Sequence, residues 1–422
     1  MPSGATRELR EHAERIATAL DVLVWCPLLS PGGGVRLLAS LVPAMARAEG
    51  IRSVRFAVPA RALPPEIRQT LRASGVALLE LGGGHAATVV SDGHRVVCVS
   101  GDADWRRETV AGLVRDCDVI FAPWPHGEPP PETDVPIVCT YQDTTVLDFP
   151  ELLGLERWRE EHAIARAWLA TARTVVVSAR NTARCLQRLF PDDVPDRMPV
   201  IHQTIRPAIP LAATPERLPP LPSRYLLFAS NAVPHKNIDN LLHAWSRFRD
   251  RDDWPLVVVG YGTGSLGADG PASDWRSLQL HGLVSRLGVG PDQGLHVLGY
   301  VADQSVDALI RGAAALVLPS LTEGGGSFSV EEALEAGVPV LCADIGPVRE
   351  QVETRSAPVT WFDPTSVDSL LLALGTFTAR YDELLTATRA AADDPRPTWD
   401  DVADAYVAEL RAAARSSDRH AL

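Results

Sequence analysis

The sequence points to an α/β protein made of two doubly wound, Rossmann-like halves. Three observations carry that expectation. Short apolar runs alternate with longer amphipathic runs along most of the chain, as parallel strands joined by helical crossovers require. The alternation stops at residues 206–222, "RPAIPLAATPERLPPLP", which hold six prolines, and then restarts. With 422 residues the chain exceeds one ordinary core, and halves of about 200 and 170 residues have the usual size of domains.

In the first half "DVLVWCP" (21–27) reads as a strand. The glycine turn "SPGGG" and the helical pattern "VRLLASLVPAMARAEG" follow it. "VRFAVPA", "VALLEL", "RVVCVSG", "CDVIFAPWP" and "VPIVCTYQD" are further strands. "LERWREEHAIARAWLATA" is a helix and "RTVVVSA" another strand. After the proline stretch come the strand "YLLFAS", the helix "NIDNLLHAWSRFRD" and the strands "PLVVVGYG", "LHVLGYV" and "AALVLPS". The helix "SVEEALEAG" is expected to end at Gly337, ahead of the strand "VPVLCAD". "DSLLLALGTFTARYDELLTATRAAA" and "TWDDVADAYVAELRAAARSS" are helical. The expected domains are 1–206 and 223–394, with 207–222 as linker and 395–422 as a last helix returning to the first domain. Ligands of such sheets bind at the carboxyl ends of the strands, so the site is expected in the cleft between the halves.

Hydrophobic content of 46% with 22% charged residues describes a soluble globular protein. A net charge of -13, with no Lys/Arg-rich tract, argues against a nucleic-acid partner. No apolar run reaches about 18 residues, so no membrane span is expected. The N-terminus is charged and amphipathic rather than leader-like, and the expected location is cytoplasmic. Cys26, Cys98, Cys117, Cys139, Cys185 and Cys342 are scattered, most of them in or beside apolar runs, and read as small buried hydrophobes. The histidines show no metal-ligand spacing, and no metal is expected.

Two stretches carry chemistry. Of the 40 Lys and Arg residues only Lys236 is a lysine, in "FASNAVPHKNIDNLLHAWSRF". It follows a strand and a turn and stands at the start of a helix, where a cation is misplaced by roughly 0.3–1 kcal/mol. A phosphate or diphosphate in front of the helix would reverse that sign. A solvated surface lysine fits the position as well, but this chain meets surface needs with arginine, which favours the anion site. The second stretch is "LPSLTEGGGSFSVEEALEAGVPVL" (318–341). Its glycines let backbone approach a ligand closely. Glu331 and Glu332 complement a helix N-terminus, whereas Glu323 precedes the loop and helps no helix. Ionised carboxylates beside a glycine cradle suit a polyhydroxylated ligand, because they only accept hydrogen bonds.

These segments resemble the glycosyltransferases of the GT-B fold, in particular the large retaining family 4. "PSLTEGGGSFSVEEALEAGVPVL" resembles that family's signature, "PHKN" its turn before the first helix of the C-terminal domain, and "PGGG" (31–34) its N-terminal glycine loop. "CTYQDTTVLDFPELL", "VVVSARNT" and "MPVIHQTI" resemble its acceptor-domain landmarks, in the same order along the chain. The resemblance implies two Rossmann-like domains facing across a cleft, a nucleotide-diphosphate sugar as co-substrate, no other cofactor and no metal. The acceptor would be a small molecule, a glycan or a lipid-linked sugar.

Carried over by position, Lys236 would bind the donor diphosphate, with Asn231 and His235 beside it. Glu323 would sit at the donor sugar. Amides of Gly325, Gly326, Ser327 and Phe328 would lie near sugar or phosphate, and Gly33 and Gly34 near the diphosphate. Glu332 would meet the ribose, and Leu298 to Val301, including Tyr300, the base. Asp143 and Gln142 would face the acceptor, together with Trp124 and His126 of "FAPWPHGEPPP", a loop that an ordinary packed tryptophan explains equally. Glu323, Lys236 and Asp143 are the catalytic candidates. Three positions depart from the pattern: Glu331 rather than Glu332 has the usual spacing from Glu323, Asn231 stands where an arginine is common, and Gln142 where many relatives have histidine. A nucleotide-sugar epimerase or isomerase on the same plan, or a non-catalytic nucleotide-binding partner, is the alternative.

Overall fold

Two six-stranded parallel sheets organise the chain. The computed structural model describes residues 19–29, 33–59, 62–81, 87–91, 94–98, 111–152, 154–204, 218–267 and 274–417. The chain divides into two units, Met1–Pro210 with Arg396–Leu422, and Leu211–Pro395.

In the first unit the strands are β1 (Leu20–Trp25), β2 (Ile51–Pro59), β3 (Val76–Leu81), β6 (Val119–Ala122), β7 (Ile137–Tyr141) and β8 (Thr174–Val177). Their order is β3-β2-β1-β6-β7-β8. Every residue of β6 and β7 is buried, which is why they read as unbroken apolar runs rather than alternating ones. Helices α1 (Gly33–Arg47), α2 (Pro65–Ala73), the short α3 (Thr145–Asp148), α4 (Leu155–Thr171) and α5 (Arg180–Leu189) belong to this unit.

The second unit orders its strands β11-β10-β9-β12-β13-β14. They are β9 (Leu226–Ala229), β10 (Leu256–Val259), β11 (Leu295–Gly299), β12 (Ala315–Leu318), β13 (Val340–Ala343) and β14 (Val359–Phe362). Its helices are α6 (Ile238–Arg247), α7 (Trp275–Leu287), α8 (Asp303–Gly312), α9 (Phe328–Glu335), α10 (Gly346–Gln351), α11 (Val367–Ala379) and α12 (Tyr381–Ala390). One sheet face packs Phe228, Trp245 and Phe377, and the other packs Leu227, Val330 and Leu334.

The last helix, α13 (Trp399–Ser417), belongs to the first unit. Its Tyr406 ring lies 5.0 Å from that of Phe121 on β6. Glu409 accepts both Arg197 Nη1 and Nη2, at 2.9 and 2.6 Å. Among the described residues no helix is long and apolar enough to cross a membrane.

Four details differ from the sequence reading. "RVVCVSG" does not join the parallel sheet: β5 (His94–Cys98) pairs antiparallel with β4 (Ala87–Ser91), since two intervening residues are too few for a parallel crossover. The edge strand β14 has a half-buried pattern that gave no clear periodic signal. The long helical stretch from 367 breaks at Arg380, and Phe377 and Tyr381 on either side both stack edge-on against Trp254. Cys117 and Cys185 are half-buried, while Cys26, Cys139 and Cys342 are buried as expected. Cys98 lies in β5, and its side chain falls outside the described residues.

Candidate functional site

In the second unit β9 and β12 are hydrogen-bonded neighbours, yet the chain leaves β9 toward β10 and β12 toward β13, on opposite sides. The loops after the two strands therefore part at the carboxyl edge of the sheet, the place where such sheets hold ligands. Asn231, His235 and Lys236 lie on the first loop, and Glu323, Gly325, Gly326 and Ser327 on the second.

Lys236 and Glu323, 87 residues apart in sequence, meet here. Lys236 Nζ donates to both carboxylate oxygens, at 2.8 and 2.7 Å. The fully buried Ser320 donates its hydroxyl to Glu323 Oε1 at 2.6 Å. The lysine side chain is 18% exposed and that of Glu323 only 7%, so the pair is sheltered but reachable from the ammonium side. The backbone joins the loops as well, with Leu321 N–H donating to His235 O at 2.8 Å.

Lys236 does not stand in the first turn of α6, as the sequence suggests. It ends a one-turn 3-10 helix, Pro234–Lys236, and Asn237 intervenes before α6. Among the described residues Asn237 is the only non-glycine with positive φ, at 57°. Asparagine tolerates this left-handed geometry, which stops the turn and restarts the helix. Its Nδ2 donates to Pro319 O at 2.9 Å and Pro364 O at 2.8 Å, tying the lysine turn to the ends of two further strands. The sequence reading passed over Asn237 as a positioning residue. Asparagine directly before an apolar helix was the available signal.

The glycine loop is partly self-satisfied. The Ser327 amide, expected to face a ligand, instead donates to Gln351 Oε1 at 2.7 Å, and Gln351 Nε2 returns a bond to Ser327 O at 3.0 Å. Gly326 makes room for this clamp: with φ 129°, a Cβ there would lie 2.5 Å from Gln351 Oε1. Gly325 lies before the clamp, and the half-buried Phe328 opens α9. The two candidate glutamates of α9 differ. Glu331 is buried and ion-paired with Arg355, whose side chain is only 3% exposed. Glu332 is half-buried.

At the neighbouring strand ends, Gly260 N–H donates to Gly299 O at 2.9 Å. Gly299 leads into Tyr300, and Tyr261 and Tyr300 are both exposed. Gly260 has φ 137°, and a Cβ there would sit 2.0 Å from the backbone oxygen of Ser230. Gly260→Ala should therefore destabilise the second unit by about 3 kcal/mol, from strain and backbone displacement together. Urea unfolding checks this; an unchanged midpoint would mean that the loop yields. Beside the exposed Asn231, Arg276 of α7 donates to Ala232 O at 2.8 Å and forks onto Asp239 at 3.0 and 2.5 Å. A cation thus stands near the position where arginine is missing, already paired with a carboxylate.

In the first unit the strand order reverses between β1 and β6, and there too candidates gather. Gly33 and Gly34 open α1, and a Cβ on Gly34 would lie 3.9 Å from the Trp124 ring. The His126 ring meets that of Trp124 at 6.3 Å and that of Tyr141 at 5.4 Å. His126 Nδ1 is 4.0 Å from Glu161 Oε2, which accepts Gly127 N–H at 3.0 Å; Arg157 pairs with Oε1 at 3.0 Å. Glu161 escaped the sequence reading, although its place on the apolar stripe of α4 with Ala165, Trp168 and Leu169 marks it. Gln142 is buried, donating to Pro123 O at 3.4 Å and accepting from Gln203. Asp143 Oδ1 accepts Thr145 N–H at 2.9 Å, a local turn that leads into the short α3.

Residues 214–390 match the family described as Glycosyl transferases group 1. The second unit is a glycosyl transferases group 1 domain. This domain holds the Lys236–Glu323 pair and both α9 glutamates. O-antigen chain mannosyltransferase B of Escherichia coli is 32% identical over 149 residues, 35% of this chain and 34% of that protein. The MMP alpha-(1->4)-mannosyltransferase of Mycolicibacterium hassiacum is 29% identical over 153 residues, 36% of this chain and 34% of that protein. The matches thus span about a third of the length of these curated relatives. Among solved structures, Anabaena Alr3699/HepE in complex with UDP and glucose superposes with a TM-score of 0.61 at 15% identity, covering 93% of this chain and 100% of that one. The group 1 domain thus belongs to a two-domain α/β chain of the GT-B fold.

Proposed function

We propose that the protein is a glycosyltransferase that moves a sugar from a nucleotide-diphosphate donor to an acceptor hydroxyl, retaining the anomeric configuration and using no metal or other cofactor. The observation that carries this reading is the sheltered Lys236–Glu323 pair at the switch point of a group 1 domain. In the reaction the bond from the anomeric carbon to the diphosphate breaks, a bond to the acceptor oxygen forms on the same face, and the acceptor proton passes to the departing diphosphate. Negative charge grows on that diphosphate. The Lys236 ammonium and the positive end of the α9 dipole stabilise it.

Glu323 accepts hydroxyls of the donor sugar. Glu332 takes the ribose, because Glu331 would first have to leave a buried ion pair. Tyr300 is assigned to the base, Gly33 and Gly34 to the diphosphate, and Trp124, His126, Gln142 and Asp143 to the acceptor. The two mannosyltransferase relatives make mannose the first sugar to test. We place the reaction in the cytoplasm.

Ligand binding to the native state raises its melting temperature. Thermal-shift titration with UDP, GDP, ADP, UDP-glucose and GDP-mannose should show stabilisation by at least one nucleotide family. Incubation with that donor alone should then release sugar slowly, with the original anomer first. Donor isomerisation would identify an epimerase instead, and no shift with any of the five would remove the donor reading.

A further inference from the structure

We infer that Glu323 and the donor diphosphate exchange Lys236 between them, so that Glu323 distinguishes a sugar-bearing diphosphate from the bare one left after transfer. The inference rests on the reading that Lys236 grips the diphosphate. An ammonium has three donors and no acceptor. Here two of them are committed to the two oxygens of one carboxylate. A diphosphate cannot take the full strength of that cation while the carboxylate keeps it, and two anions only a few ångströms apart repel.

The surrounding bonds decide which partner moves. Glu323 is held by the Ser320 hydroxyl, and the loops are tied by Leu321 N–H to His235 O and by Asn237 to Pro319 O. Lys236 ends a flexible four-carbon stem, so the ammonium swings while the carboxylate stays.

Releasing the lysine leaves Glu323 buried with Ser320 as its hydroxyl donor. A donor sugar offers hydroxyls to the vacated oxygens, whereas a bare diphosphate offers none. Loss of the ion pair is therefore compensated in the donor complex and not in the product complex. After transfer Glu323 recovers Lys236, and the nucleotide leaves.

The test uses the full chain with UDP, GDP and ADP as probes, followed by calorimetry. Glu323→Gln keeps the shape and the Ser320 contact but removes the charge. It should tighten the bare diphosphate about tenfold. In a Lys236→Ala background most of that gain should vanish, because the competition needs the lysine. The sole lysine gives a direct signal: protein labelled with 13C at lysine Cε yields one resonance, from Lys236. That resonance should move on binding. Its bound position should agree between wild type and Glu323→Gln, while the free positions differ.

Should Glu323→Gln fail to fold, the wild-type lysine resonance decides alone. A diphosphate that binds wild type without moving the resonance overturns the exchange. So does a diphosphate that binds Glu323→Gln no more tightly than wild type. If UDP, GDP and ADP all fail to bind wild type and variant, the donor reading itself falls and takes this inference with it.

Discussion

Lys236→Ala is expected to lower turnover by about a thousandfold while leaving the fold intact. Removing one preorganised donor from a developing oxyanion typically costs about 10²–10³ in rate, and here the donor also carries a full charge. The structural consequence is smaller. The alanine leaves Glu323 with its Ser320 bond and an opening where the lysine stem lay, and water can enter through that partly exposed side. Initial rates with the donor identified by thermal shift, together with circular dichroism, check both halves. Lys236→Arg should rescue poorly, because a planar fork does not reproduce a compact, swinging point charge. Transfer kinetics unchanged by Lys236→Ala would remove the central assignment.

Glu331→Gln, one position before the glutamate assigned to the ribose, should act on stability instead. Its carboxylate is ion-paired with Arg355, and both side chains are almost wholly buried. Deleting one charge of such a pair leaves the other uncompensated, at a loss of about 3 kcal/mol. For a unit of this size that lowers the melting temperature by roughly 10 °C. Donor affinity, measured well below the transition, should change by no more than about twofold. The reverse pattern, with lost affinity and an unchanged melting temperature, would move the ribose contact to Glu331. The experiment thus separates two adjacent glutamates that spacing and register assign differently.

The sequence by itself determined the strands that are covered on both faces. β12 and β13 sit inside "AALVLPS" and "VPVLCAD", because burial of every side chain writes an unbroken apolar run into the chain. Gly337, with φ 69° just past α9, was equally legible, since a left-handed helix stop selects glycine. The lone lysine and the Glu323 loop stood out as residues that local structure does not require. β14 was not legible, because a half-buried edge strand imposes little periodicity.

Tertiary structure alone decided what each charge meets. Lys236 faces Glu323 because β9 lies beside β12, an order that no local pattern encodes. The same holds for the Gln351 clamp on Ser327, Arg355 on Glu331, and Asn237 reaching two strand ends. The physical reason is range. Periodicity reports which way a side chain faces relative to its near neighbours, whereas the partner of a buried polar group is set by which strand ends the sheet brings together.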